Sequence, residues 1–362
     1  MYAIQGTGNG HLSRARDIIP ALQKKGELDI LVSGIQADVG LDYPVRYKLH
    51  GLSFIFGTKG GVDLLNTYKK NKVKKLYKEI AQLPVEKYDL VINDFEPVSA
   101  WACRLRKKPC VSLSHQSAIL NAHAPQPSKE DIVGRMILQH YAPTDMQWGF
   151  HFREYDKNIF TPVIRKQVRN ITPADKGYYA VYLPAYDDKR IIKVLSAFSK
   201  TRWMVFSKHS KRTYKEGNVS ITPVSNGAFI DGLAAATGVL CGAGFETPAE
   251  VLYLKKKLMV IPMKNQFEQQ CNAAALKEMG VPVIKSLKAK HAERIQAWID
   301  AGQHIPVEYP DHTDLIIEQL LDACGSWMAK DMEQQANGSG RSAGQKQEKP
   351  GFRHIFSSYR IL

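Results

Sequence analysis

The sequence predicts an α/β protein in two halves, each a parallel sheet covered by helices. Short apolar runs alternate with helix-like segments through most of the chain, the pattern of strand–helix–strand units. A Gly-rich turn joins a strand to a helix near the start, and another does so in the second half. The chain's 362 residues also exceed one typical domain, so two of similar size are expected.

In the first half, Tyr2-Ala3-Ile4 reads as a short strand. Leu12 to Lys25 carries Leu12, Ala15, Ile18, Ile19 and Leu22 at helical spacing, with Gly26 placed to close the helix. Residues 29–33, 89–93 and 109–113 are further strands, with a helix from Val98 to about Arg106, so this half reads as doubly wound. Residues 122–176 break the rhythm with prolines, aromatics and isolated charges, and are expected to form acceptor-side loops and the interdomain connection. A second alternating series follows, with strands at 178–183, 202–206, 219–221, 238–241 and 258–261. Its helices are expected at 188–199, 227–236, 248–254 and 269–279, and a last amphipathic helix at 313–329. From about Glu333 the composition turns to Gln, Gly, Ser and Lys, which cannot bury enough apolar surface to fold. The expected division is 1–160, 161–312, a helix at 313–330, and a disordered tail at 331–362. Only about four strand residues precede Gly6, against roughly five to six in a usual strand, so either the strand is short or, as the favoured expectation, the native chain begins upstream of Met1.

Composition narrows the function classes. With 44% hydrophobic and 23% charged residues the chain can fill ordinary cores. No apolar run approaches the ~20 residues of a membrane span, and the first residues lack the features of a secretion signal. Cys103, Cys110, Cys241, Cys271 and Cys324 show no CxxC spacing and read as core residues of a cytoplasmic protein. The net charge of +15 favours a polyanionic or phosphorylated partner. Lys69, Lys70, Lys72, Lys74, Lys75 and Lys78, with Val73, Leu76 and Tyr77 among them, read two ways. They form a solvated helix face, or a basic amphipathic helix on an anionic membrane surface at the inner face of the plasma membrane. No nucleic-acid-binding signature accompanies the charge, so nucleic acid is not an expected partner.

The turn Gly6-Thr7-Gly8-Asn9-Gly10-His11 suits close backbone approach and an anion at the following helix N-terminus. Its glycines depart from the dinucleotide spacing, and Ser33-Gly34 stands where an acidic ribose ligand would, which sets NAD aside. Gly8, Asn9 and Gly10 belong to the acceptor side of a strand-top cleft. His11 in that cleft is a candidate general base, and Asp94, just past strand 89–93, is its candidate orienting partner. The alternative is that His11 caps or contacts phosphate while Asp94 caps the helix near Pro97. Glu96 is a second, weaker candidate base, or a first-turn carboxylate favourable to the helix dipole. His115 either lines the acceptor pocket or is a satisfied loop histidine.

In the second half, Cys241 to Glu250 again reads strand, Gly-rich turn, helix. The backbone around Gly244 to Thr247 would face a diphosphate, with the Thr247 hydroxyl adding a contact and Glu250 accepting from ribose. Glu268 and Gln269 offer complementary groups for sugar hydroxyls, and Asn272 is expected to open the next helix.

This turn, the Glu six residues after Gly244, and the run Glu268-Gln269-Gln270-Cys271-Asn272-Ala273 resemble the donor signature of GT-B glycosyltransferases. The UDP-glycosyltransferases and the peptidoglycan N-acetylglucosaminyltransferase are the most similar groups. The opening Gly-Asn-Gly-His-Leu-Ser-Arg-Ala is similar to a prokaryotic branch of the superfamily. The resemblance implies two Rossmann-like, doubly wound domains facing across a cleft, with acceptor on the first and nucleotide-sugar donor on the second. It implies His11 as base, Asp94 as its partner, and Gly242, Ala243, Gly244, Phe245, Thr247, Glu250, Glu268 and Gln269 as donor-binding residues. It further implies that the last helix crosses back to the first domain. The chain departs from the plant-type pattern at Gly242 and at Glu246, where a carboxylate beside a diphosphate is unfavourable. The implied reaction is metal-independent, inverting transfer of a hexosyl unit from a UDP-sugar to a hydroxyl of a glycan or lipid-linked acceptor. No cofactor or metal is expected, and no Asp-x-Asp motif is present. A UDP-sugar 2-epimerase on the same fold and a non-catalytic nucleotide-sugar-binding protein are the rival expectations.

Overall fold

A computed structural model describes residues 1–7, 9–34, 40–52, 73–129 and 131–338. The first series runs β1 (Tyr2–Gln5), α1 (Gly10–Gln23), β2 (Ile30–Ser33), β3 (Tyr47–Leu49), α2 (Val73–Gln82), β4 (Val91–Asp94) and α3 (Pro97–Arg106). It continues with β5 (Cys110–Leu113), α4 (His115–Ile119), α5 (Ile132–Tyr141), β6 (Met146–Phe150) and β7 (Ile159–Phe160). The second series opens with α6 (Lys166–Arg169), β8 (Tyr179–Tyr182), α7 (Asp188–Leu195), β9 (Trp203–Ser207), β10 (Tyr214–Glu216), β11 (Val219–Pro223) and α8 (Asn226–Ala234). It ends with β12 (Gly238–Gly242), α9 (Glu246–Tyr253), β13 (Lys257–Ile261), α10 (Phe267–Glu278), α11 (Ala292–Ala301) and α12 (Thr313–Gly338).

Two sheets result. The first has the order β3-β2-β1-β4-β5-β6-β7 and is parallel throughout. The second has the order β10-β11-β9-β8-β12-β13, parallel except for the β10–β11 hairpin. Each winds outward from its first strand and then reverses, between β1 and β4 in one and between β8 and β12 in the other. In such sheets the loops leaving the two strands at the reversal diverge and open a crevice at their carboxyl ends. The register pairs Ile4 with Asp94, which brings the end of β4 beside the Gly6 turn. Gly6 is needed there: a Cβ would stand 2.9 Å from Val32 Cγ1, and its N–H donates to the Ser33 carbonyl at 2.6 Å.

The core follows the sequence stripes. Leu12, Ala15, Ile18, Ile19 and Leu22 of α1 are buried against the first sheet, in a cluster that extends to Ile164, Val168 and Phe245. A separate cluster packs α7 and α11 on the second sheet around Trp203 and Trp298. In α2, Leu76 and Ile80 are buried with Trp101 of α3, while Lys74, Lys75 and Lys78 are exposed. The helix therefore spends its apolar stripe on its own core; Lys69, Lys70 and Lys72 lie outside the described residues. No helix among the described residues is long and apolar enough to cross a membrane.

Three expectations need correction. Residues 122–176 are not simply loops, because α5, β6, β7 and α6 lie within them. α12 continues to Gly338, so residues 331–338 extend the helix where a disordered tail was expected; residues 339–362 lie outside the description. α10 starts at Phe267, two residues before the expected helix, so Glu268 stands in its first turn beside Gln269, and Asn272 lies inside that helix rather than opening it. α12 rests on α1, with Lys24 Nζ 2.7 Å from Asp314 Oδ2 and Lys25 Nζ 3.2 Å from Glu318 Oε1.

Candidate active site

The crevice of the first sheet holds His11 and Asp94. His11 is the second residue of α1 and Asp94 the last of β4, so the strand reversal itself brings them together. His11 Nδ1 lies 2.8 Å from Asp94 Oδ1. Asp94 is fully buried, and burial alone would raise its carboxyl pKa. The charges of Arg14 and His11 and their hydrogen bonds overcome that and hold it below the usual carboxylate value. An ionised Asp94 accepts hydrogen bonds only, so His11 donates to it from Nδ1 and Nε2 is the ring nitrogen left facing Gln116. Gln116 Nε2 approaches that nitrogen at 3.5 Å and donates to Glu268 Oε2 at 3.1 Å. Asn9 and Gly10 begin α1 beside this pair, and Gly8 lies outside the described residues.

Sequence reasoning gave no role to Arg14, which proves central. One helical turn after His11, it is 1% exposed and donates from Nη2 to both Asp94 oxygens, at 2.8 and 2.9 Å. Its Nη1 donates to Glu246 on the second sheet's Gly turn. Its spacing three residues after His11 places both on one helix face, which is the only signal the sequence offers. Burial pushes the Glu246 carboxyl up to about 7 although Arg14 pulls the other way. Gly10 makes room for this contact, since a Cβ there would stand 3.1 Å from Glu246 Cγ.

The second crevice carries the Gly turn. Gly242 ends β12, Gly244 and Phe245 cross to α9, and Thr247 lies partly exposed in its first turn. Gln269 Oε1 accepts from the Met263 N–H at 2.9 Å and stands near Gly242. Ala243 and Phe245 are buried, and Asn272 Nδ2 donates to the Ala243 carbonyl at 3.1 Å. Asn272 thus fixes the shape of the turn from behind.

Glu250 is placed differently from expectation, while His115 and Glu96 each take the structural one of their two expected readings. Glu250 is 2% exposed, with both carboxylate oxygens accepting from Arg165, at 2.5 Å from Nε and 2.7 Å from Nη2. It anchors the segment after β7 to α9 rather than standing open to a ribose. His115 is 1% exposed, stacked on Phe245 with ring centroids 3.8 Å apart, and bonded to the Phe150 carbonyl and the Asn272 amide. Burial lowers its pKa, and it is a packed histidine, not an acceptor-side surface. Glu96 caps α3 by accepting from the Val98 and Ser99 N–H groups at 2.8 and 2.6 Å, and is not available as a base. A cavity of about 230 Å³ adjoins Gln116. Asn93, Ser112 and Gln147, which line it, are register partners across β4, β5 and β6, giving it a polar floor.

The sequence pattern of the family described as glycosyl transferase family 1 matches residues 1–301. The chain belongs to that family. The transferase therefore works on a glycosyl group, and its paired sheets are the GT-B fold. Solved structures agree on that fold. The UDP co-structure of S. aureus MnaA superposes with a TM-score of 0.57 at 9% identity, covering 91% of the transferase and 97% of MnaA. UGT89C1 of Arabidopsis thaliana, complexed with UDP, gives 0.53 at 13% identity, covering 89% and 94%. Acinetobacter baumannii MurG gives 0.50 at 12% identity, covering 82% and 90%. No curated protein sequence matches the transferase.

Proposed function

We propose that the protein transfers a hexosyl unit from a UDP-sugar to an acceptor hydroxyl, without a metal and with inversion at the anomeric carbon. The observation that carries this reading is the His11–Asp94 pair, held by Arg14 directly opposite the turn at 242–247. His11 Nε2 takes the proton of the acceptor hydroxyl, and Asp94 holds the ring and balances the imidazolium that forms. The backbone N–H groups at the start of α9 meet the charge that grows on the departing diphosphate. Thr247 adds a hydroxyl to that contact, while Glu268 and Gln269 address the sugar. The acceptor enters beside Gln116, whose amide already points at His11 Nε2. The UDP bound to MnaA and UGT89C1 supports the choice of nucleotide. Residues 1–160 and 161–312 serve as acceptor and donor halves, with α12 tying them together.

A thermal-shift panel of UDP-, GDP- and dTDP-sugars tests the donor. A ligand at about 100 times its Kd stabilises by about 2.7 kcal/mol, and UDP-sugars are expected to give the largest shift. The same protein should release UDP only when an acceptor is supplied. Conversion of UDP-GlcNAc to its 2-epimer without any acceptor would contradict the reading.

A further inference from the structure

Glu246 is one of the two positions at which the chain leaves the plant-type pattern, and the fold gives it an unusual setting. It is the first residue of α9, at the helix end that favours anions. Its carboxylate is held from across the cleft by Arg14, a nearly buried cation. Arg14 already commits Nη2 to Asp94, and its Nε has no partner among the described residues. Nη1 is thus the nitrogen aimed at the donor side, and Glu246 occupies it.

On the reading of the 242–247 turn as the diphosphate site, we propose that Glu246 is an internal stand-in for the donor's phosphate. When a nucleoside diphosphate sugar binds, Arg14 passes from Glu246 to the diphosphate, and Glu246 takes up one proton from solvent. Two anions then compete for one guanidinium and one helix end, and giving up the cation leaves the half-buried Glu246 carboxylate uncompensated. The groups facing Glu246 make the outcome specific. Arg14 and His11 approach from α1, Asp94 from β4, Tyr2 from β1, Glu250 from the next turn of α9, and Arg165 from the residue before α6. Once Arg14 is engaged elsewhere, the diphosphate, Asp94 and Glu250 disfavour a charge on Glu246, and the remaining guanidinium, Arg165, is committed to Glu250. Even with Arg14 in place, burial holds the Glu246 carboxyl near 7, so losing that partner moves it further toward the neutral form.

The exchange does work in the reaction. Arg14 keeps its two bonds to Asp94 throughout, so the bound diphosphate becomes linked through Arg14 and Asp94 to the base, His11. Arg14 acts as a positioning residue, and Glu246 holds its place until the donor comes.

Calorimetric titration of the full chain tests this, using the UDP-sugar that gives the largest shift in the panel above. A sugar diphosphate diester has no group of its own titrating near neutrality. Heats measured at pH 8 in buffers of different ionisation enthalpy should report uptake of about one proton. By linkage, affinity should weaken about tenfold per pH unit above neutrality. Glu246→Gln should take up no proton and bind roughly tenfold more tightly at pH 8. Binding without proton uptake, or uptake that persists in Glu246→Gln, would overturn the exchange and leave the donor site standing. If no sugar nucleotide binds at all, both readings fall.

Discussion

His11, Asp94 and Arg14 form one electrostatic unit, and its parts were unequally legible. His11 and Asp94 could be picked from the sequence because each lies at the carboxyl end of a strand, where crevices open. Arg14 could not, because its partners are 80 and 232 residues away. A charged residue inside an amphipathic stripe reads as solvated until tertiary structure buries it. Glu246 shows the same limit: its departure from the family was visible, but its partner was not. The unit also predicts an acid dependence. Asp94 is held below its ordinary value, so it stabilises the fold above about pH 4, and that contribution disappears as pH falls through its lower folded value. Asp94→Asn removes one of the two carboxylates that Arg14 bonds and leaves it with Glu246, which costs about 1–3 kcal/mol at neutral pH. Denaturant titrations should show this gap to wild type narrowing below about pH 4. A gap that does not change with pH would contradict the assigned ionisation.

The elements around the site were read best where periodicity was strong. The α1 stripe and the strands at both Gly turns match the structure to within a few residues. The middle of the first half was misread because Met146-Gln147-Trp148-Gly149-Phe150 lacks the β-branched run that announces a buried strand. Aromatic residues and Gly149 obscure it. That glycine has a positional reason: a Cβ would stand 2.4 Å from the Ser114 carbonyl and 2.9 Å from the Ala118 N. β6 therefore packs flush against α4, which carries Gln116. Gly149→Ala must push α4 away, at a cost of at least about 1–3 kcal/mol. A lowered melting temperature together with a raised acceptor KM is the expected result, with donor affinity unchanged. Normal stability in this variant would contradict the close packing. Helix ends were also misjudged: α12 runs on because Met332 to Asn337 includes good helix formers, whatever their lack of apolar surface.

At the scale of the molecule, the fold brings the start of α9, proposed to meet the diphosphate, and His11, the proposed base, to either side of Arg14. Burial rather than surface charge holds those two sides together. Arg165 and Glu250 join the segment after β7 to α9 through a buried two-point pair, and Asn226 bonds the same guanidinium at 2.9 Å. Glu250→Ala should cost about 3–5 kcal/mol by leaving Arg165 unpaired, readable as a shift in the urea midpoint. An exposed pair such as Lys24–Asp314 should contribute well under about 1 kcal/mol. The two-sheet architecture was evident from alternating patterns, because periodicity records which face is buried. How the halves meet was not, since that rests on single contacts between distant residues.

The central claim is that His11 is the base for glycosyl transfer and takes no part in holding the donor. Steady-state kinetics of His11→Ala with its preferred UDP-sugar and acceptor, alongside direct donor binding, tests it. The account predicts a fall in kcat of about 10²–10⁴-fold with donor affinity unchanged. Near-normal turnover, or a loss explained wholly by weaker donor binding, would contradict it.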